Sequence, residues 1–286
     1  MPRPGEPGTE AHSTSPTARP VRPAGAARAG ARGAAGPLRR SGAPRVCVVT
    51  EVIDLTPRLR RVRFRSDDLI GVEPVSPAQR ATIVLPAGGS FGPEGLDSAE
   101  YSAARRTRRT YTLCDLDPRT GTAAIDLVRH GTGVAGTWVE RVRPGDDFVL
   151  SGPMGKFHLD PAQTHYVLIA DETAVPALRE ICAQLPAGAR AEVHVEVADE
   201  AERIDLPSPA ELDVTWWLRS EHGGEVGELV GRLAPHLRTA GPGVTVWIGA
   251  EADSVTALRT HLLAEAGCDR RLLDAVAYWR RGRAES

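Results

Sequence analysis

Tyr166-Val167-Leu168-Ile169-Ala170 is the stretch on which the fold turns. An apolar run without polar alternation suits a strand buried on both faces, as in a parallel sheet covered by helices. Beyond it the chain alternates in type. Residues 174–185 read as a helix, 191–197 as a second strand and 214–218 as a third. Residues 226–237 read as a helix, 244–248 as a fourth strand and 254–266 as a helix. Strands and helices in turn predict crossover units and a parallel sheet. Ligands of such sheets lie beyond the carboxyl ends of the strands. Asp171, Asp199 and Gly249-Ala250-Glu251 stand at those ends.

Upstream the rhythm differs. Short strands are expected at residues 46–49, 59–65, 81–85, 110–114, 123–128 and 148–150, separated by turns rich in Pro, Gly and Asp. This spacing predicts a small antiparallel barrel over residues 45–160, followed by the parallel-sheet domain over 161–286. Within the barrel, residues 86–106 read as a mobile loop and 133–141 as a short helix. Residues 1–44 are Pro, Gly, Ala and Arg with almost no branched aliphatic side chain, a composition expected to stay disordered.

Composition narrows the function. The 286 residues are 41% hydrophobic with a formal net charge of −2, which argues against a nucleic-acid partner. The basic charge is almost wholly arginine, Lys156 being the single lysine. Cys47, Cys114, Cys182 and Cys268 lack the close spacing of a zinc or iron–sulfur site, so no metal is expected. No apolar run suits a signal peptide or a membrane span, and the expected location is cytoplasmic, away from membranes.

Arg109-Thr110-Tyr111-Thr112 carries the chemistry. In an extended segment Arg109 and Tyr111 lie on one side and Thr112 on the other. A flavin nucleotide needs such a set: a guanidinium for phosphate, a ring beside isoalloxazine and a donor for the flavin edge. The same four residues also suit an ordinary polar strand with one cation.

The order RTYT, IDLVRHGTGVAGTW, PGDDFVLSGPMG, HYVLIADETAVPAL and VWIGAEADSVTALRTHL with AYWRRG resembles the siderophore-interacting protein family. Those proteins are flavin-dependent ferric-siderophore reductases of the ferredoxin-reductase superfamily. The resemblance spans about residues 45–282. It implies a fold of FAD-binding barrel plus NAD(P)-binding-like α/β domain, and an enzyme that passes electrons from NAD(P)H through FAD to the Fe(III) of a ferric siderophore, so that iron is released as Fe(II). It places FAD on Arg109, Tyr111 and Thr112, and on His130, Gly131, Gly133, Val134 and Ala135, with Thr137 in place of a lost hydroxyl. Glycines allow close backbone approach to a pyrophosphate, and a helix N-terminus offers it N–H groups. Asp171-Glu172-Thr173-Ala174 falls on the family's D-E-T-A segment, with Thr173 expected to face the cofactor or donor phosphate. No side chain is required as an acid or base, so no catalytic residue is named.

The chain also departs from the family pattern. Cys114 and Thr82 stand where the family carries an arginine and a lysine, leaving Arg105, Arg106, Arg108, Arg280 and Arg281 as cations for an anionic substrate. Two further readings therefore stand: a flavin reductase for a non-siderophore acceptor, and a non-enzymatic barrel that has lost flavin. No basic pair comes after the second strand at Val197-Ala198-Asp199-Glu200 to mark a 2′-phosphate. NADH, NADPH and a reduced ferredoxin are all open as donors.

Overall fold

The computed structural model describes residues 42–92, 94–237 and 241–282, so nearly all of the segment read as a tail lies outside the described residues. Two sheets are built in chain order. The first joins β1 (Pro44–Asp54), β2 (Leu59–Arg65), β3 (Arg80–Val84), β4 (Arg109–Thr112), β5 (Cys114–Asp117), β6 (Thr122–Val128) and β7 (Asp147–Met154). It runs β4-β3-β7-β1-β2-β6-β5, and its described pairs are antiparallel. The sheet curls until β4 and β6, which share no ladder, face each other.

Alternating inward residues fill the barrel. Val62 and Phe64 from β2, Ile83 from β3, Ile125 from β6 and Phe148 from β7 form one buried cluster. Phe64 meets Phe148 edge-to-face at 4.9 Å between centroids. The helix α2 (Gly133–Arg141) packs on this cluster through Trp138 and Val139, with Trp138 5.8 Å from Phe148. That anchorage fixes the start of α2 beside the gap between β4 and β6.

The stretch 86–106 is more ordered than a mobile loop. It contains the short helix α1 (Ala99–Ala104), capped by Ser98, whose hydroxyl accepts the Tyr101 N–H at 3.0 Å. Tyr101 then packs edge-to-face on Phe91 at 5.6 Å, and both are buried with Val84 and Val149. The single strand expected over 110–114 is two strands, parted at the buried Leu113; Asp115 just beyond has φ +50.

The second sheet joins β8 (His165–Ala170), β9 (Arg190–Val197), β10 (Glu211–Leu218), β11 (Thr245–Glu251) and β12 (Leu273–Trp279), in the order β10-β9-β8-β11-β12. All pairs are parallel. Numbered within the sheet this is 3-2-1-4-5, a doubly wound order whose direction switches between β8 and β11. The helices α3 (Val175–Gln184), α4 (Arg219–His222), α5 (Glu228–Gly231) and α6 (Ala252–Ala264) connect the strands. The helix expected over 226–237 is broken: α5 ends at Gly231 and a 3-10 turn at Ala234–His236 contains Pro235, which has no N–H to continue it. The two sheets share a core, where Leu59 and Phe157 pack with Tyr166, Leu168 and Leu178.

Candidate functional site

A cavity of about 480 Å³ lies between β4, β6, the start of α2 and the carboxyl edge of the second sheet. Arg109, Tyr111, Thr112, His130, Gly133, Val134, Ala135 and Thr173 all line it, so eight of the ten residues chosen from sequence meet at one place. Gly131 and Thr137 are not on its wall. Thr137 is one of the exposed residues of α2, and its carbonyl accepts from Arg141.

The geometry of β4 is set by its register. Tyr111 pairs with Ala81 and Arg109 with Ile83, both fully buried barrel residues, while Thr110 and Thr112 lie opposite Thr82 and Arg80. Arg109 and Tyr111 thus share one face. The Arg109 guanidinium donates to the carbonyls of Thr107 and Arg108 and meets no carboxylate among the described residues. Across the cavity, His130 Nδ1 lies 3.1 Å from the Thr132 hydroxyl, and the ring lies against Gly136, where a Cβ would come within 2.8 Å.

The start of α2 is open. Thr132 precedes it without capping it, and its first turn contains no acid. Gly131 and Gly133 both have φ near +69, with free space where a Cβ would be. Uncapped N–H groups and the positive end of the helix dipole face the cavity together. This donor set, with the guanidinium opposite, fits the diphosphate of a flavin dinucleotide.

Several wall residues lie beyond the reach of sequence reasoning. Asp126 on β6 is buried and receives a bidentate bond from Arg61 at 2.7 and 2.9 Å; the pair is directly opposite across β2 and β6. Sequence alternation alone places Arg61 on an outer, basic face. Tyr278 and Trp279 on β12 complete the wall, with Glu172 and Val226. The motif AYWRRG marks this segment in the sequence without revealing it as an edge strand.

At the carboxyl edge, Thr173 donates both its N–H (2.9 Å) and its hydroxyl (2.5 Å) to Asp171 Oδ1, so only oxygen lone pairs are left for another partner. Asp171 Oδ2 accepts from Glu251 N and Trp279 Nε1, each at 2.9 Å. Burial pushes the Asp171 carboxyl up to about 6, partly offset by these bonds. For Glu251, burial acts upward, but the N–H groups of Arg281, Asp253 and Ser254 outweigh it and hold the carboxyl below its usual range.

A second cavity of about 470 Å³ adjoins the first and shares β4 and Tyr278 with it. Arg80 and Arg108 line it together with Arg109. Tyr278 stands on the wall of both, T-stacked on Trp247 at 6.2 Å. Of the cations nominated from sequence, Arg280 pairs with Asp253 at 3.1 Å and Arg281 with Glu225 and Glu228 at 2.9 and 3.0 Å. Arg105 lies over the Tyr101 ring at 5.9 Å. Arg108 does reach the cavity, and Arg80 joins it from the position two residues before Thr82, hence on the same strand face. Cys114 is fully buried, its thiol pushed up by desolvation and by Asp126.

A family model described as the siderophore-interacting FAD-binding domain matches residues 48–157, and one described as siderophore-interacting protein matches 163–282. The chain belongs to the siderophore-interacting protein family. An uncharacterized protein of Mycobacterium tuberculosis is 35% identical over 205 residues, covering 68% of this chain and 72% of that one. The ferric vibriobactin reductase ViuB of Vibrio cholerae is 27% identical over 234 residues, 79% of this chain and 86% of its own. Among solved structures, a siderophore utilization protein from T. fusca is 29% identical with a TM-score of 0.72, covering 85% of this chain and 95% of that one. The ferredoxin reductase in carbazole 1,9a-dioxygenase, at 17% identity and a TM-score of 0.61 over 83% of this chain and 70% of its own, shares the fold. These neighbours agree with the expected barrel-plus-parallel-sheet architecture of ferredoxin-reductase type. Among the described residues there is no cluster of three metal-ligating side chains, and no helix is long and apolar enough to cross a membrane.

Proposed function

We propose that this family member is an FAD-dependent oxidoreductase that takes electrons from NAD(P)H and reduces the Fe(III) of a ferric siderophore to Fe(II). The observation that carries it is the uncapped start of α2 facing Arg109 and Tyr111 across one cavity. Arg109 and the N–H groups of residues 133–135 would hold the diphosphate, Tyr111 would lie beside the ring system, and Thr112 and His130 would border it. The bound flavin supplies conversion of a two-electron donation into single-electron reductions. The protein orients the partners, and Tyr278 keeps donor and acceptor sides apart.

The name of the relative ViuB supports a ferric-siderophore acceptor. So does the arginine-lined second cavity, because catecholate and carboxylate ferric chelates carry negative charge. Fe(II), the softer and less charged ion, binds hard oxygen donors more weakly, which favours release.

The test is a visible spectrum of the purified protein after removal of unbound cofactor, then anaerobic addition of NAD(P)H and of an anionic ferric chelate with an Fe(II) trap. Retained flavin bands, bleached by donor and restored by chelate, are expected. A protein that stays colourless with added FAD would defeat the proposal. Arg109→Ala should lower FAD affinity at least tenfold, the loss of about one charge-assisted bond.

A further inference from the structure

The carboxyl edge of the second sheet, where a doubly wound domain ordinarily cradles a dinucleotide, is filled by the protein's own acids. The three neighbouring strands β9, β8 and β11 each carry, within one residue of the carboxyl end, an acidic residue at most 3% exposed: Glu196, Asp171 and Glu251. Each is spent on backbone N–H groups at or just before a helix start. Glu196 accepts from Gly227 N at 2.6 Å and Val230 N at 2.9 Å, ahead of and within α5. Glu251 caps α6, accepting from Asp253 N at 2.6 Å and Ser254 N at 3.2 Å. Asp171 takes Thr173 N before α3 and Glu251 N across the switch point. The first turn of α3 also contains Pro176, which has no N–H to offer.

The N–H groups at the starts of α5 and α6, and Thr173 N just ahead of α3, are therefore already bonded, and to fixed negative charge that repels phosphate. The crevice itself is crossed by backbone: at Gly227, with φ +84, a Cβ would meet Glu251 Cβ at 2.6 Å and Asp171 Oδ2 at 3.5 Å. Nor are these carboxylates available to ribose hydroxyls. Asp171 holds four donors, and Glu196 holds a third from Arg219 at 3.0 Å, whose other nitrogen binds Glu172.

We infer that the nicotinamide donor is recognised only through its nicotinamide mononucleotide end, at the wall formed by Thr173, Val226 and Trp279, and that its adenylate half is not bound by the second domain. This rests on the donor reading proposed above. The substrate class is then any reduced nicotinamide, with no discrimination at the 2′-phosphate. The contrast with α2 is internal to the molecule: that helix start is open beside a cation, whereas α5 and α6 start on the carboxylates of Glu196 and Glu251, and α3, itself uncapped, starts with Pro176 in its first turn and the buried Asp171 just ahead of it.

FAD-loaded protein should be reduced by NADH, NADPH and reduced nicotinamide mononucleotide with kcat/KM values within about threefold of one another. In parallel, ADP-ribose titrated calorimetrically into the same FAD-loaded protein should give no binding heat up to millimolar concentration. A dinucleotide advantage of thirtyfold or more over the mononucleotide, or a sub-millimolar Kd for ADP-ribose, would overturn the inference while leaving the donor reading intact. If dithionite bleaches the flavin and no reduced nicotinamide does, the donor reading fails and the inference falls with it.

Discussion

At the scale of single residues, burial rather than charge count sets the behaviour of the acids. Glu180 on α3 lies where the second domain meets β5, and burial, then the Asp115 charge, pushes its carboxyl up to about 7. The unfolded chain releases that proton near the ordinary glutamate value, so the native state binds more protons between about 4.5 and 7. Stability from this group is therefore full below that window and lost as pH rises through it. Glu180→Gln removes the ionisation, and at pH 8 it should be more stable than the parent by on the order of 2 kcal/mol after allowance for partial exposure. At pH 4.5 the gain should vanish. Urea denaturation at both pH values measures the difference; an equal effect at the two would contradict the assigned cause. Arg61 and Asp126 show the opposite solution nearby, a buried pair directly opposed and bidentate, with the remaining Arg61 nitrogen on Asp115 at 2.8 Å.

At the scale of elements, the decisive contrast is between helix starts. Anion binding by α2 needs its first turn to stay free of acid, and Val134, 37% exposed on the cavity wall, is where that can be tested. Val134→Asp adds a carboxylate that the helix dipole favours by about 0.3–1 kcal/mol, so the FAD-free protein should be at least as stable. The same charge should weaken FAD at least tenfold, about 1.4 kcal/mol, by repulsion of the diphosphate. Fluorescence titration and urea melts read the two effects separately, and unchanged FAD affinity would place the diphosphate elsewhere. Elements also mark the limits of reading from sequence. The buried strand 166–170, the alternation of β4 and the helix at 133–141 were legible because apolar periodicity and turn residues act locally. The helix α1 was not, because a Ser98 cap and one Tyr101–Phe91 contact hold six residues amid Gly and Pro. Nor were Tyr278, Trp279 and Arg80 legible as wall residues, since each reaches its cavity through pairing with distant strands. The acids at 171, 196 and 251 could be located in sequence, but their use as internal caps depends on loops that arrive from elsewhere.

At the scale of the molecule, the two sides of Tyr278 differ in charge. Glu172 and Asp126 stand on the wall of the first cavity alone, whereas Arg80 and Arg108 stand on the second alone and Arg109 is shared between them, on a chain whose formal net charge is only −2. Such an asymmetry does not strengthen the fold; it sorts ligands by charge and raises encounter rates for anions, by about tenfold or more when a cleft focuses the field. Reduction of a negatively charged ferric chelate should therefore slow as ionic strength rises, because screening at 0.15 M already acts over about 8 Å. A neutral chelate should show no such slope. In the double variant Arg80→Glu, Arg108→Glu the slope for the anionic chelate should flatten or reverse and its KM should rise at least tenfold, with the visible flavin spectrum retained because Arg109 and α2 are untouched. Stopped-flow reoxidation at several salt concentrations measures this. A double variant with the parent's salt slope would show that the chelate reaches the flavin by another route, and that the second cavity is not where acceptors dock.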